Sequence, residues 1–133
     1  MSSKVKCLSS IFAPISIGEL IDKITILEIK QIYMTGTKLK NINKEMKLLK
    51  DILQDKNLEI NLDLINNLKE VNKNLWEIED NIRIKESNQE FDKEFIQLDR
   101  SVYKENDRRA SIKKEINQKY NSELIEEKSY INS

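Results

Sequence analysis

Histidine is absent from this chain of 133 residues, and other structurally decisive residues are scarce, with two Gly, one Pro and one Cys. Without histidine the chain can form neither a Ser-His-Asp triad, nor a Cys-His dyad, nor the Glu-x-x-His motif of di-metal bundles. The lone Cys7 can complete neither a zinc knuckle nor an internal disulfide, so we predict a reduced, cytoplasmic protein. We expect no metal and no cofactor.

Charge and hydropathy exclude two further classes of partner. The 23 basic and 23 acidic side chains cancel at pH 7, so the chain lacks the positive field that supplies nucleic-acid affinity. No window approaches the ~20 apolar residues that a membrane span needs. We therefore predict neither a nucleic-acid partner nor a membrane partner.

The composition predicts an all-α fold. Charged residues make up 35% of the chain, and with so few helix breakers this favours long amphipathic helices. Apolar residues recur at spacings of three and four, and they predict helices over residues 17–34, 38–54, 63–87 and 93–120. We expect a single helical domain over residues 1–133, a small bundle in which residues 1–13 and 121–133 are loosely ordered tails.

Local patterns mark helix ends. Ser16 and Glu19 are spaced as a capping box, in which each side chain binds the backbone N–H of the other residue. Asp92 is a suitable N-cap for the last helix, and Gly36 is expected to end the first.

The short connection between the third and fourth helices predicts a long antiparallel helical hairpin with coiled-coil-like packing, in which residues whose numbers sum to about 178 face each other. The first helix is apolar around nearly its whole circumference, so other elements have to cover it on all sides. It is therefore either the central helix of the bundle or part of a subunit interface. We expect its remaining apolar surface to be buried in a two-fold homodimer.

Two carboxylates, Asp22 and Glu28, project from apolar stripes of the first helix. A buried carboxylate needs a cation or several hydrogen bonds, since otherwise its pKa rises. Three interpretations stay open for Glu28: pairing with a lysine at the edge of a half-buried helix, a buried ion-pair network with an arginine of the fourth helix, or a catalytic acid or base.

The third helix carries the only tryptophan, Trp76, close to Glu79 and Arg83. Glu79 and Arg83 are four residues apart, the favoured arrangement for a helical ion pair worth about 0.3 to 0.5 kcal/mol when exposed. A solvated pair beside a packed Trp explains this pattern without a functional role.

The other three arginines of the chain lie within ten residues of one another on the fourth helix. They build two i,i+4 ridges, which consist of Arg100, Lys104 and Arg108, and of Arg109 and Lys113 beside Asn106. Because the chain otherwise uses lysine, planar bidentate donors are favoured here. Their target is an internal carboxylate such as Glu28 or Glu79, a partner protein, or an anionic small molecule such as a sugar phosphate.

Four segments of the sequence carry a resemblance to a known family: APISIGELIDKITILEIK at 13–30, LWEIEDNIR at 75–83, FIQLDRSVYKENDRRASIKKEIN at 95–117 and SELIEEKSY at 122–130. With them the chain resembles a family of short bacterial and phage proteins catalogued as a domain of unknown function. The resemblance spans most of the chain, and between residues 35 and 74 it rests on pattern rather than on identical residues. It implies a compact helical protein and gives no residue a catalytic role.

The recurrent polar positions of that family correspond here to Asp22, Lys23, Glu28, Lys30, Trp76, Glu79, Asp80, Arg83, Arg100, Tyr103, Asn106, Asp107, Arg108 and Arg109. Among them we predict a ligand-binding site or polar network across the first, third and fourth helices, formed by Asp22, Glu28, Trp76, Glu79, Arg83, Arg100, Tyr103, Asn106, Arg108 and Arg109.

The sequence thus predicts a non-enzymatic helical interaction or accessory module that self-associates as a homodimer and can bind a protein partner. The alternative is a small helical enzyme or sensor that binds an anionic metabolite, a sugar phosphate or a carboxylate, through the Arg and Lys cluster. The two hypotheses differ in whether the arginines converge on a solvent-reachable pocket or are neutralised by internal carboxylates.

Overall fold

The computed structural model describes residues 10–129 and has the predicted all-α fold. Its four helices are α1 (Ile17–Tyr33), α2 (Gly36–Asp55), α3 (Leu62–Ser87) and α4 (Lys93–Lys119), and no strand occurs within the described range. Each helix begins and ends within two residues of its predicted bounds. The predicted loose tails fall partly on residues 1–9 and 130–133, which lie outside the described residues. None of the described helices combines the length and apolar character that crossing a membrane requires.

Helix α1 is central, since it packs on α2, α3 and α4. One side of α1 joins α3 and α4 in a core that contains Ile21, Leu64, Leu68, Val71, Leu75, Ile112 and Ile116. Its other side joins α2 in a second core, formed by Leu20, Ile24, Leu27, Ile42 and Met46. The all-round apolar pattern of α1 follows from this position between two cores, where each fully buried aliphatic side chain contributes roughly 1.5 to 3 kcal/mol.

Side-chain caps fix the starts of α1 and α4. Ser16 Oγ accepts a hydrogen bond from the Glu19 backbone N–H at 3.0 Å, and Asp92 Oδ1 accepts one from the Phe95 N–H at 3.0 Å. The capping box is only half formed, because the Glu19 carboxylate accepts from Lys113 Nζ at 2.7 Å instead. A long-range ion pair thus replaces the predicted local contact.

The structure corrects the role of Gly36. Helix α1 ends at Tyr33, and Gly36 is the first residue of α2, with a φ of 61° that favours glycine. The three later helices instead end at residues in the left-handed backbone conformation: Asn57, Gln89 and Asn121 have φ of 53°, 54° and 53°. After each of them, the next backbone N–H bonds to a carbonyl five residues earlier, which closes the helix in a Schellman motif.

Helices α3 and α4 run antiparallel. Near their connection, Lys85 Nζ lies 2.9 Å from Asp92 Oδ2, and farther along, Arg108 Nη2 lies 3.8 Å from Glu70 Oε1. The residue numbers of this second pair fit the predicted register. Coiled-coil supercoiling stays a prediction.

The hairpin extends well beyond α1. At 1.5 Å per residue, the 17 residues of α1 span about 25 Å and the 26 residues of α3 about 39 Å. Where α1 ends, the ring of Tyr33 stacks on Trp76 with a centroid separation of 5.2 Å. Leu75 and Ile112 are buried, and no residue between them is buried. We call residues 77–105 the hairpin tip and the rest of the packed helices the base.

Candidate functional site

The best-defined polar cluster surrounds Asp22, a carboxylate on α1 with 0% exposure. Arg109 of α4 binds it bidentately, with Nε donating to Oδ1 at 2.9 Å and Nη2 donating to Oδ2. Asn72 of α3 donates from Nδ2 to Oδ1 at 2.8 Å. A buried charge is costly unless it is paired and hydrogen-bonded, so this cluster fixes three helices relative to one another.

Thr25 and Asn72 complete the buried network. Thr25 Oγ1 donates to the backbone carbonyl of Asp22 at 2.8 Å and accepts from Asn72 Nδ2 at 2.9 Å. Both side chains are buried. Because the Asn72 amide bonds to both α1 residues, it holds α3 and α1 in one rotational setting.

The Asp22 contact also fixes the charge state of Arg109. Its hydrogen bonds with Asp22 raise the pKa of the guanidinium above the ordinary arginine value and outweigh the lowering effect of burial. Arg109 is therefore a permanent cation and not a proton carrier.

Lys113, one turn beyond Arg109 on α4, is a second buried cation, with a side chain only 7% exposed. Its Nζ lies 2.7 Å from Glu19 Oε2, 3.4 Å from Glu126 Oε1 and 4.0 Å from Asp22 Oδ2. Two cations of α4 thus meet carboxylates from α1 and from the segment that follows α4. The opposite charges leave the cluster near neutrality.

A cleft of about 390 Å³ opens beside this cluster. The side chains around it include Glu19, Asn106, Arg109, Lys113, Glu126 and Lys128. Its lining is strongly polar, so it suits a charged group better than an apolar ligand.

Gly18 allows α1 to approach α4 at the edge of the site. Its N–H donates to Asn117 Oδ1 at 2.6 Å, and a Cβ at this position would lie 2.5 Å from the Lys113 carbonyl oxygen. The neighbouring Ile17 N–H donates to Ser122 Oγ at 3.0 Å. These contacts satisfy N–H groups in the first turn of α1 that have no partner within the helix.

Glu28 and Trp76 both lie outside the network. Glu28 Oε2 is 3.7 Å from Lys69 Nζ, and both side chains are partly exposed, so Glu28 pairs with an edge lysine. The buried ion pair with an α4 arginine forms at Asp22 instead. Trp76 packs by stacking on Tyr33, with ring planes 15° apart.

The other predicted arginines do not join Arg109. Arg83 lies in the hairpin tip, with Nη1 3.0 Å from Asp80 Oδ1 and Nη2 3.8 Å from Glu79 Oε2. Arg108 pairs with Glu70 across the hairpin. These are contacts between exposed side chains, which typically contribute about 0 to 1 kcal/mol.

The remaining predicted residues divide between tip and cleft. Arg100 and Tyr103 are exposed on α4 in the hairpin tip, and Arg100 forms no ion pair within residues 10–129. Asn106 lines the cleft. Of the ten predicted site residues, the structure therefore brings together Asp22, Asn106 and Arg109.

Sequence reasoning missed most members of the polar cluster around Asp22. Asn72 is a lone amide on the apolar stripe of α3, and that position could have indicated a buried polar contact. Lys113 was recognised as the ridge partner of Arg109 but not as part of the site. No pattern in the sequence indicated Glu126 as a site residue, because its contact depends on the path of a segment without regular structure.

Residues 11–133 match the model of a family described as "Family of unknown function (DUF6165)". The chain belongs to the DUF6165 family. This confirms the predicted membership of an uncharacterised family, while the bacterial and phage occurrence stays a prediction. No curated protein and no solved structure matches the chain.

In this DUF6165 protein, the cluster is arranged to hold charges in place. No group of three or more metal-ligating side chains occurs in residues 10–129. Asp22 accepts three side-chain hydrogen bonds, and Arg109 is a fixed cation. The geometry therefore suits structural fixation and charge recognition.

Proposed function

We propose that this DUF6165 protein is a non-enzymatic helical interaction module that self-associates through its hairpin tip. The supporting observation is the abrupt end of burial along the hairpin, beyond Leu75 on α3 and before Ile112 on α4. Both helices continue past this point, although a layer of two helices cannot cover its own apolar side chains.

The hairpin tip presents large apolar side chains. Ile84, Phe91, Ile96 and Tyr103 are each more than half exposed. No further helix of the described chain covers this element, so exposed apolar side chains on it favour an association surface. Burial of these four side chains would supply the driving force for association.

The charges of the tip favour a second copy of the chain as the occupant. On α3, Glu77 and Glu86 form no ion pair within residues 10–129, and the same holds for Arg100 and Lys104 on α4. In a two-fold dimer, the α3 edge of each protomer can face the α4 edge of its partner. One of these α3 carboxylates would then approach the two unpaired cations on α4 of the other protomer, twice by symmetry, which gives the contact its orientation.

The alternative, an anionic-metabolite site built from the four arginines, loses its main support. Arg109 is bound bidentately by Asp22, and Arg83 and Arg108 have carboxylate neighbours of their own. Only Arg109 of the four lines the cleft. A clamp of several guanidinium groups on one ligand is therefore not formed.

Sedimentation velocity tests the proposed dimer. At tens of micromolar, we expect the unmodified chain to sediment as a dimer and the variant Ile84→Glu with Ile96→Glu as a monomer. Leu62→Glu is the matched control, because Leu62 is 68% exposed at the start of α3, in the base. This control should remain dimeric. A monomeric parent chain, or a dimer that the double variant leaves intact, would contradict the proposal.

We also propose a cytoplasmic location. With Cys7 as its only cysteine, the chain gains no internal disulfide from an oxidising compartment. Fractionation of cells that express the chain from its own gene tests this assignment, and recovery in a secreted fraction would contradict it.

A further inference from the structure

The two carboxylates closest to Lys113 Nζ are supported very differently. Glu19 lies in the first turn of α1, where the Ser16 cap and the contacts of Gly18 hold the backbone. Glu126 lies in residues 121–129, which contain neither helix nor strand. One partner of the buried cation is thus part of the bundle, and the other can leave without unfolding a helix.

The segment 121–129 is anchored at its start and loosely packed afterwards. Ser122 accepts from the Ile17 N–H at 3.0 Å and donates to the Leu124 carbonyl at 2.6 Å. Leu124 and Ile125 are each 40% exposed, so their apolar side chains are only partly buried. Two ion pairs, of Glu126 with Lys113 and of Glu127 with Lys114, each at 3.4 Å, tie this segment to α4, and only that of Glu126 lies in the cleft.

Behind Glu126 lie cationic groups with hydrogen-bond donors to spare. A guanidinium has five N–H donors, and Asp22 takes two of those on Arg109. An ammonium has three, and Glu19 takes one of those on Lys113. Arg109 is also 28% exposed, so a solute in the cleft can reach it.

We propose that this cleft is an anion-binding site and that Glu126 closes it as an internal substitute for the ligand. The ligand is a small molecule with a phosphate or carboxylate group, which takes the place of the Glu126 carboxylate on Lys113 and binds the remaining donors of Arg109. Binding would release residues 123–129 from the cleft. This site is separate from the hairpin tip, so the proposal stands or falls independently of the dimer.

An NMR titration of the full chain tests the site. Inorganic phosphate and citrate are added separately at constant ionic strength, because weak charge contacts are screened by salt. We expect saturable shifts of the Asn106 and Ala110 amides, together with increased backbone mobility of residues 123–129. Tighter binding of phosphate would identify a phosphate ester as the ligand class, and tighter binding of citrate a carboxylate.

Glu126→Gln gives the decisive comparison. It removes the competing charge and should tighten anion binding about five-fold, as expected for loss of a partly exposed ion pair. Glu127→Gln is the matched control, because the neighbouring Glu127 pairs with exposed Lys114 at 3.4 Å and lies outside the cleft. It should leave the Kd unchanged.

Two results would overturn the proposal. One is the absence of saturable shifts at the cleft in both the unmodified chain and Glu126→Gln. The other is an identical Kd in the unmodified chain, Glu126→Gln and Glu127→Gln, because Glu126 would then not compete with the ligand. Neither result requires a variant that threatens the fold, since Glu126 is an exposed side chain outside the helices.

Discussion

The base of the bundle and the hairpin tip share helices α3 and α4, yet they use charged side chains in opposite ways. In the base, Asp22 and Arg109 are withdrawn from water and linked to Asn72. In the tip, Arg83 lies 70% exposed beside Glu79, a contact that water and salt largely screen. The same pair of chemical groups is a structural constraint in one region and a surface feature in the other.

The difference arises because a third helix packs on α3 and α4 in the base and none does so in the tip. In the base, α1 covers the groove between α3 and α4, so polar groups there lose water and must find protein partners. In the tip no further helix of the described chain covers the hairpin, and charged side chains remain hydrated. If a second copy covers the tip, the two regions would become more alike.

Replacing Asp22 is expected to have the largest effect on stability, because it removes the central carboxylate of the base. Asp22→Ala leaves the partly buried Arg109 without its counter-charge and the buried Asn72 without one of its acceptors, so we expect a loss of about 3 kcal/mol in the free energy of unfolding. Urea denaturation followed by circular dichroism measures the loss. Glu79→Ala, which removes a carboxylate from the tip, should cost less than about 1 kcal/mol. Similar losses for both variants would show that burial does not separate the two regions.

Gly18→Ala tests the close approach of α1 and α4. The added Cβ would lie 2.5 Å from the Lys113 carbonyl oxygen, which belongs to a helix backbone and cannot rotate away. We expect a destabilisation of about 1 to 3 kcal/mol, as for overpacking elsewhere, measured by the same denaturation. The NMR shifts of Lys113 and Asn117 should change as well.

Gly36→Ala is the control for this prediction. A Cβ at Gly36 meets nothing within 4 Å, and its cost comes from the positive φ alone, about 1 kcal/mol. The Lys113 and Asn117 amides should not move in this variant. If Gly18→Ala leaves them in place too, the two helices do not approach as closely as described.

The sequence predicted the fold well because its patterns are local. Periodicity placed all four helices, and the Ser16 and Asp92 caps placed two starts to the residue. The two-sided apolar pattern of α1 also predicted that other elements surround it. Gly36 was assigned to the wrong helix, because glycine at the end of one helix and at the start of the next gives the same local pattern.

The candidate site was less predictable because it depends on helix rotation and loop path. Asp22 stood out as a charge on an apolar stripe, and Arg109 as one of three clustered arginines. Which arginine meets which carboxylate depends on how α1 is rotated against α4, and no local pattern determines that angle. The contacts of Glu126 lie further beyond sequence reasoning, since they depend on a segment without periodicity.

Gln89→Gly tests whether the hairpin tip unfolds locally, independently of the base. Gln89 ends α3 with a φ of 54°, where glycine has no steric penalty, so the variant should stabilise the tip by about 0.5 to 1 kcal/mol. Hydrogen exchange should show slower exchange of amides in residues 77–105 and little change in the base. Gln89→Ala keeps the Cβ and should give no gain. Equal slowing in both regions would mean that tip and base open together.

The smallest expected effect concerns acid titration at the closed end of the tip. Lys85 Nζ lies 2.9 Å from Asp92 Oδ2, and this hydrogen bond, assisted by the Phe95 N–H, holds the pKa of Asp92 below its ordinary value. Because the pKa is lowered in the folded state, the contact stabilises the turn above the unfolded pKa and is lost as pH falls through the folded one.

Lys85→Met should therefore raise the Asp92 pKa toward its ordinary value, as measured by carboxyl ¹³C NMR. Lys93→Met is the control, since Lys93 is the neighbour of Asp92 and forms no ion pair within residues 10–129. It should leave the titration nearly unchanged. An equal upward shift in both variants would indicate a general field of positive charge rather than one hydrogen bond. The turn of the tip would then not be held by a specific hydrogen bond between Lys85 and Asp92. The tip would differ still more from the base, where specific hydrogen bonds fix the charged side chains.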